Sequence, residues 1–416
     1  MEFRILFIIL AIACILSPVC SAGSETLMMD EITVRGKKES PGEESLNIRE
    51  VRESSAKDIG EALKYVEGCS CVRKGAIAND IVLRGFQKDN INVLVDGVRL
   101  HGACPSRMDP PSFHYDFAQI EQIRIVKGPY DLENPGSLGG LVQAVTRRTD
   151  KGFGSDLSLN YGSYNSANAS ATVSYGADRY DALLGYAFKY SGVPKSGDGN
   201  LITNIYPANS PNRYRPNTID SKAYQINTGW TKLGFNPTDN SRTELNYSYQ
   251  DAEHVLYPYL KMDADYDRTH LLNWTYKLEE ISELVREVRL QAYWDKVDHL
   301  MDDQLRVSSS PSMVVTRPYS MQTDAKTQVV GAKLNGTLAL GPGMLTSGVD
   351  YYNRNWDATN LRAMFTMAQP YRPQNMIPDV YVDNFGLFAE YELPLAGKFS
   401  FKGGMRGDLT WINADK

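Results

Sequence analysis

Three things are scarce in this 416-residue sequence, and each scarcity removes a class of function. Past residue 22 no segment resembles a membrane-crossing helix, so a helical membrane protein is excluded. Lysine and arginine form no stripe and the formal net charge is only -6, which argues against a nucleic-acid partner. Cysteine is rare, and two of the five, Cys14 and Cys20, fall in "MEFRILFIILAIACILSPVCSA". There Arg4 precedes an apolar run from Ile5 to Leu16, and small residues follow up to Ala22. That order predicts a secretory signal over residues 1–22, too short and wrongly flanked for a membrane span. Ser17, Pro18 and Val19 are a poor approach to a lipidated Cys20. Loss of the signal leaves Cys69, Cys71 and Cys104. An odd number in an exported chain means a free thiol, an intermolecular bond or a metal ligand. Cys69 and Cys71, one residue apart in "EGCSCVRKG", could pair with each other, or one could pair with Cys104; spacing does not decide.

What is abundant is tyrosine, 25 residues, with 33 glycines and many alternating polar and apolar runs. Residues 23–56 are polar, "KKESPGEES" reading as a flexible tether with one β-prone island, "DEITVRG" at Asp30–Gly36. Residues 57–150 read as a compact α+β domain, with a short helix in "AKDIGEALKYV" and strands in "DIVLRGF", "INVLVDGVRL" and "IEQIRIVKGP". From about residue 151 the pattern is alternation in segments of about ten residues with Tyr and Trp at their ends, the additive signature of a transmembrane β-barrel. A soluble sandwich alternates too. Loop length separates the two: about eleven expected strands are joined by short turns such as "NPTDNS" and "GPG", alternating with long connections at 192–221, 253–267, 299–325 and 357–380. A barrel with short turns on one side of the membrane and long loops on the other requires this, and a sandwich does not.

One loop raises a chemical question. In "VDGVRLHGACPSRMDPPSFHY", residues 95–115, Cys104 stands four residues before Met108, His101 and His114 flank the pair, and prolines at 105, 110 and 111 exclude a regular helix or central strand. Two sulfurs on a stiffened loop are packing, half of a disulfide, or a metal site.

The chain resembles the TonB-dependent outer-membrane receptors. "DEITVRG" looks like a TonB box, "IVLRGFQKDNINVLVDGVRL" and "IEQIRIVKGPYDLENPGSLGGLVQAVTRR" look like plug-domain motifs, and the alternating segments follow as a barrel should. The resemblance implies a plug over 57–150, a barrel over 151–416, residence in the outer membrane against its lipid, and TonB as a partner that grips Asp30, Glu31, Ile32, Thr33 and Val34. It also departs from the family, whose barrel has about 22 strands. Only about half are expected here, so the sequence reads as a fragment. Within the family, "HGACPSRMDPP" resembles the copper receptors of the OprC/NosA type, whose site joins a C-x-x-x-M in the plug to an H-x-M in the barrel. "WDKVDHLMDD" supplies the second half with His299 and Met301.

The chemistry stands beside that resemblance. A thiolate, two thioethers and an imidazole, from Cys104, Met108, Met301 and His299, form a soft set that selects Cu(I) over hard cations, and zinc seldom takes thioether. If the strand at 284–298 runs outward, His299 and Met301 open an outer loop at its top with both side chains on one face, where the plug loop can rise to meet them. His101 and His114 are candidates to support a ligand or to receive the ion on its way in; the plainer alternative is a solvated loop histidine. Met262, Met313, Met321, Met364, Met367 and Met376 fall in the expected outer loops, more as packing than as a thioether funnel. "LYPYLKMDADYD" reads as a solvated loop. The expected function is a non-catalytic, TonB-energised copper receptor. The alternatives are a siderophore or metallophore receptor of the same fold, an electron-transfer copper protein, and a passive porin.

Overall fold

In the computed structural model the described residues are 43–136, 138–310, 319–364, 369–395 and 399–415. The expected signal and the TonB-box-like segment lie outside them. No helix among the described residues is long and apolar enough to cross a membrane.

Eight short strands build the first domain. They are β1 (Glu43–Asn47), β2 (Cys69–Val72), β3 (Asp80–Leu83), β4 (Phe86–Gln87), β5 (Ile91–Val95), β6 (Val98–Arg99), β7 (Ile120–Lys127) and β8 (Gly140–Thr146). They form a five-stranded sheet in the order β1-β7-β8-β5-β6 and a three-stranded sheet β2-β3-β4. β5 reads "INVLV" without alternation and is buried throughout, as suits a strand paired in parallel with β8 and covered on both faces. In β7 a register shift between Ile120 and Gln122 lets Ile120, Ile123 and Ile125 all reach the core.

Two sequence expectations change here. The tether does not extend to residue 56, because β1 pairs with β7 and a helix follows at Ile48–Glu53. Leu46, Ile48 and Val51 pack on the domain core, and that apolar face draws the segment in. The expected helix "AKDIGEALKYV" shrinks to Ile59–Ala62 and a 3-10 turn at Leu63–Tyr65, its start fixed by the Asp58 carboxylate accepting from Glu61 N–H at 2.8 Å.

Eleven antiparallel strands then follow in sequence order as one meander: β9 (Gly152–Gly162), β10 (Ser166–Gly176), β11 (Tyr180–Gly192), β12 (Lys222–Thr238), β13 (Ser241–Val255), β14 (Asp263–Glu279), β15 (Val285–Asp302), β16 (Tyr319–Leu340), β17 (Gly343–Met364), β18 (Gln369–Pro394) and β19 (Ser400–Ala414). Strands β9 and β19 are the two edges of this sheet and do not pair with each other. β11 shows the alternation that the sequence carries: Asp181, Leu183 and Ala187 are buried, while Leu184 and Tyr186 face out.

Strands run further than expected at their outer ends. The expected loop at 357–380 is largely strand, with Pro370 and Pro378 falling at register shifts and Pro373 opposite Leu361. The expected loop at 253–267 contracts to residues 256–262. Arg306 ties this loop to its neighbours. Fully buried, it donates to both Asp263 carboxylate oxygens at 2.7 Å, to the Tyr214 hydroxyl at 2.8 Å, and to the Asn212 and Tyr257 carbonyls. Its guanidinium also stacks 3.8 Å over the Tyr214 ring. "LYPYLKMDADYD" is therefore no solvated loop: Leu256, Tyr257 and Asp263 are all buried.

Candidate metal site

The plug loop is shaped by its own short-range bonds. Arg107 N–H donates to Cys104 C=O at 2.9 Å, closing a turn with Pro105 at its second position, where the ring's fixed φ is preorganised. The turn brings Met108 back beside Cys104. The Asp109 carboxylate then accepts from the Ala103 and Cys104 amides at 2.6 and 3.0 Å, locking the sulfur-bearing residue from behind. Gly102 admits the close approach, since a Cβ there would lie 2.3 Å from the Asp109 carbonyl oxygen.

The barrel fixes the loop from several strands. Trp356 Nε1 donates to Ala103 C=O at 2.7 Å, Gln250 Nε2 donates to Phe113 C=O at 2.8 Å, and the Tyr257 hydroxyl donates to Met108 C=O.

His299 and Met301 do not open a loop. β15 continues to Asp302, and both residues remain in strand, opposite Asp267 and Ala264 of β14. Pairing on both sides, with β14 and β16, carries the strand past the point where the sequence suggested a turn. The shared inward face holds: from Gln291 to Met301 every second residue is buried.

Cys104 Sγ lies 3.6 Å from Met301 Sδ, and Met108 belongs to the same buried cluster. His299 is fully buried and faces Cys104. Its Nδ1 lies 3.0 Å from Asp267 Oδ2, while its Nε2 has no hydrogen-bond partner among the described residues. The structure thus brings together all four residues expected from the sequence. None of the four side-chain environments is open to solvent: exposure is 3% at Cys104, 1% at Met108 and Met301, and 0% at His299.

The flanking histidines part ways. His114 is buried beside the cluster, its Nδ1 2.8 Å from Thr269 Oγ1 and 3.4 Å from Asp267 Oδ1. Burial opposes its charged form, but the Asp267 carboxylate outweighs burial and lifts His114 above the usual imidazole range. His101 sits outside, against the Tyr352 ring, in a cavity of about 270 Å³ that it shares with Cys104, Arg107 and Arg354. Burial and the nearby guanidiniums hold His101 neutral. Asp109, Asp267 and His299 also offer ligand atoms within 4.8 Å of one another. Both carboxylates are already engaged, one by amides and one by imidazoles, which leaves the sulfurs and the Nε2 atoms of His299 and His114, neither of which has a hydrogen-bond partner among the described residues.

Among the described residues the outer-loop methionines are scattered. Met262 packs on the site cluster, Met321 lies in β16, and Met376 is exposed on β18. Met364 ends β17, and Met313 and Met367 lie outside the described residues.

Residues 37–141 match the TonB-dependent receptor plug domain, and residues 196–415 match the TonB-dependent receptor-like β-barrel. Among curated proteins, a vitamin B12 transporter BtuB of Vibrio vulnificus (strain CMCP6) is 29% identical over 136 residues, which are 31% of this chain and 22% of that protein. A BtuB of Vibrio cholerae serotype O1 is 21% identical over 262 residues, 61% of this chain and 40% of that protein. Among solved structures, the copper transporter OprC superposes with a TM-score of 0.77 at 23% identity, over 90% of this chain and 56% of that one. The FrpB iron transporter of Neisseria meningitidis gives 0.66 at 16% identity, over 89% and 59%. The chain thus spans less than two thirds of the length of each.

Proposed function

This chain belongs to the TonB-dependent receptors, and we propose that it captures copper as Cu(I) for import across the outer membrane, with Cys104, Met108, His299 and Met301 as the ligands. One observation carries the reading: two sulfurs 3.6 Å apart, from plug and barrel, share a sealed cluster with a histidine whose Nε2 is unpartnered. Asp267 can only accept, so Nδ1 keeps its proton, and Nε2 is the nitrogen that would give up its own to face the ion as a ligand. Binding requires the Cys104 thiol to release its proton, and the thiolate then offsets the charge of the ion. Selectivity follows from softness.

The similar proteins carry different names, for vitamin B12, iron and copper. A B12 or ferric-chelate cargo needs an open chamber lined by groups that read an organic ligand. The four donors are buried at 3% exposure or less, a setting that suits a bare ion rather than an organic ligand. The electron-transfer alternative needs two imidazoles with the thiolate on the metal, and the second candidate, His114, has its Nε2 3.9 Å from the Asp109 carboxylate.

The segment at Asp30–Gly36 would pair with a TonB strand by β-augmentation, backbone groups supplying the affinity. Force on it would shift the plug loop away from β15 and separate Cys104 and Met108 from His299 and Met301. X-ray absorption on protein loaded anaerobically with one equivalent of Cu(I) tests the site. Sulfur scatterers with a single imidazole are expected, lost in Cys104→Ser. A spectrum dominated by nitrogen and oxygen, or a sulfur-and-imidazole spectrum unchanged in that variant, refutes the assignment.

A further inference from the structure

Cys69 and Cys71 take no part in the site above, yet the fold presents them as a pair. On β2 the burial pattern of "CSCV" alternates, with both cysteines turned to the covered side and Ser70 and Val72 turned out. Cys69 stands opposite Leu83 and Cys71 opposite Ile81 of β3, and Cys69 packs on the plug core. Both thiols are free, as is Cys104.

Geometry explains why they are not bridged. Residues two apart in a strand are separated by about 6.6 Å, and side chains on one face stand nearly parallel. A disulfide needs Cβ atoms within about 3.5–4.5 Å, so this pair could close only by breaking the strand. A soft ion asks less. Two metal–sulfur bonds of about 2.3 Å, the length of a zinc–thiolate bond, set the sulfurs about 4.6 Å apart, which χ1 rotation reaches from a regular strand.

Their place in the plug adds a direction. Ile81, the partner of Cys71, adjoins Asp80, whose carboxylate holds Arg107 Nε at 3.0 Å at the end of the Cys104 turn. At the other end of β2, Cys69 is within electrostatic reach of Lys127 of β7 and Glu44 of β1. β1 is the first described strand after the TonB-box-like segment. The two thiols therefore lie between the loop that carries Cys104 and the strand through which a pull would arrive.

We propose that Cys69 and Cys71 form a second Cu(I) site, a two-thiolate station that receives the ion once the plug loop has moved away from His299 and Met301. This rests on the copper reading of the upper site. The step is ligand exchange without redox change: each thiol releases a proton, two copper–sulfur bonds form, and the bonds to the upper donors break. Movement of the plug loop breaks the four-donor set, and the two thiolates then offer the ion more negative charge than either half of it, so transfer runs downhill.

Anaerobic Cu(I) titration of the full chain against a chromophoric chelator tests it. Wild type should bind two ions, Cys69→Ser/Cys71→Ser one, with sulfur and imidazole scattering, and Cys104→Ser one, with two sulfurs and no imidazole. If wild type binds one ion and the double variant is unchanged, the second site is refuted and the upper site stands. If Cys104→Ser still binds two, the upper assignment fails instead. Should the double variant misfold, alkylation of wild type decides: a second equivalent of Cu(I) should slow labelling of Cys69 and Cys71 about tenfold or more, because a metal-held thiolate is no longer a free nucleophile. Equal labelling with and without metal, or a Cys69–Cys71 disulfide in purified protein, overturns the proposal.

Discussion

At His299 the placement of one proton decides whether the ring can serve as a ligand. Asp267 holds the Nδ1 proton at 3.0 Å and at the same time lies 3.4 Å from His114, so one carboxylate orients two buried imidazoles. Asp267→Asn should leave the fold intact but cost about 10–100-fold in Cu(I) affinity, because the amide can donate to Nδ1 and turn the wrong tautomer toward the sulfurs. Chelator competition reads the affinity. A weakened imidazole contribution in X-ray absorption separates lost orientation from general damage, and an Asp267→Asn protein with wild-type affinity contradicts the role. The four proposed ligands were legible in the sequence because sulfur and imidazole are scarce types and two half-motifs matched. Asp267 and Asp109 were not, since carboxylates are common and only the strand register sets Asp267 opposite His299. Tyr257 was hidden by its neighbours, for a tyrosine among acidic residues reads as surface until Arg306 and the Met108 carbonyl are seen to bury it.

Strand ends explain most of what the sequence misjudged at the next scale. Alternation marked the eleven strands well in their central parts, where one face must stay apolar, and poorly at the outer ends, where polar residues continue the ladder beyond that band. Hence Val285–Asp302 reaches the site as strand and 357–380 is mostly paired. The loops above are held by a buried ion pair, whose partners are 0% and 3% exposed at Arg306 and Asp263. Arg306→Met leaves Asp263 charged and unpaired, and should destabilise the folded chain by about 3–5 kcal/mol while making residues 193–221 and 303–310 sensitive to protease. Arg306→Met/Asp263→Leu should recover part of that loss by removing the unpaired charge, but not all of it, since the buried Tyr214 hydroxyl and Tyr257 amide lose their acceptor. Thermal unfolding of the two single variants and the double variant measures the coupling. Additive losses would show that the pair does not hold the loops together.

Across the whole molecule, the proposed site draws two ligands from the plug and two from a barrel strand, so cargo binding and plug position are linked quantities. Measured in the Cys69→Ser/Cys71→Ser background, copper should therefore stabilise the plug against the barrel, by about 2.7 kcal/mol at 100 times the dissociation constant, and the rise in melting temperature should vanish when either Cys104→Ser or His299→Ala is added. Persistence of the shift in His299→Ala would mean that copper binds within the plug alone. The same linkage run backwards describes release, because a pull that displaces the plug loop must weaken binding by whatever free energy the copper bond adds to docking. Val34→Pro removes one backbone donor from the segment expected to pair with TonB and constrains Thr33 before it. Cu(I) affinity of the purified variant should equal that of wild type, since the substitution is remote from the four ligands in sequence, while copper accumulation by cells should fall to the level of cells lacking TonB. Normal accumulation would sever the segment from energy coupling, and lost affinity would mean that residues before β1 support the site itself.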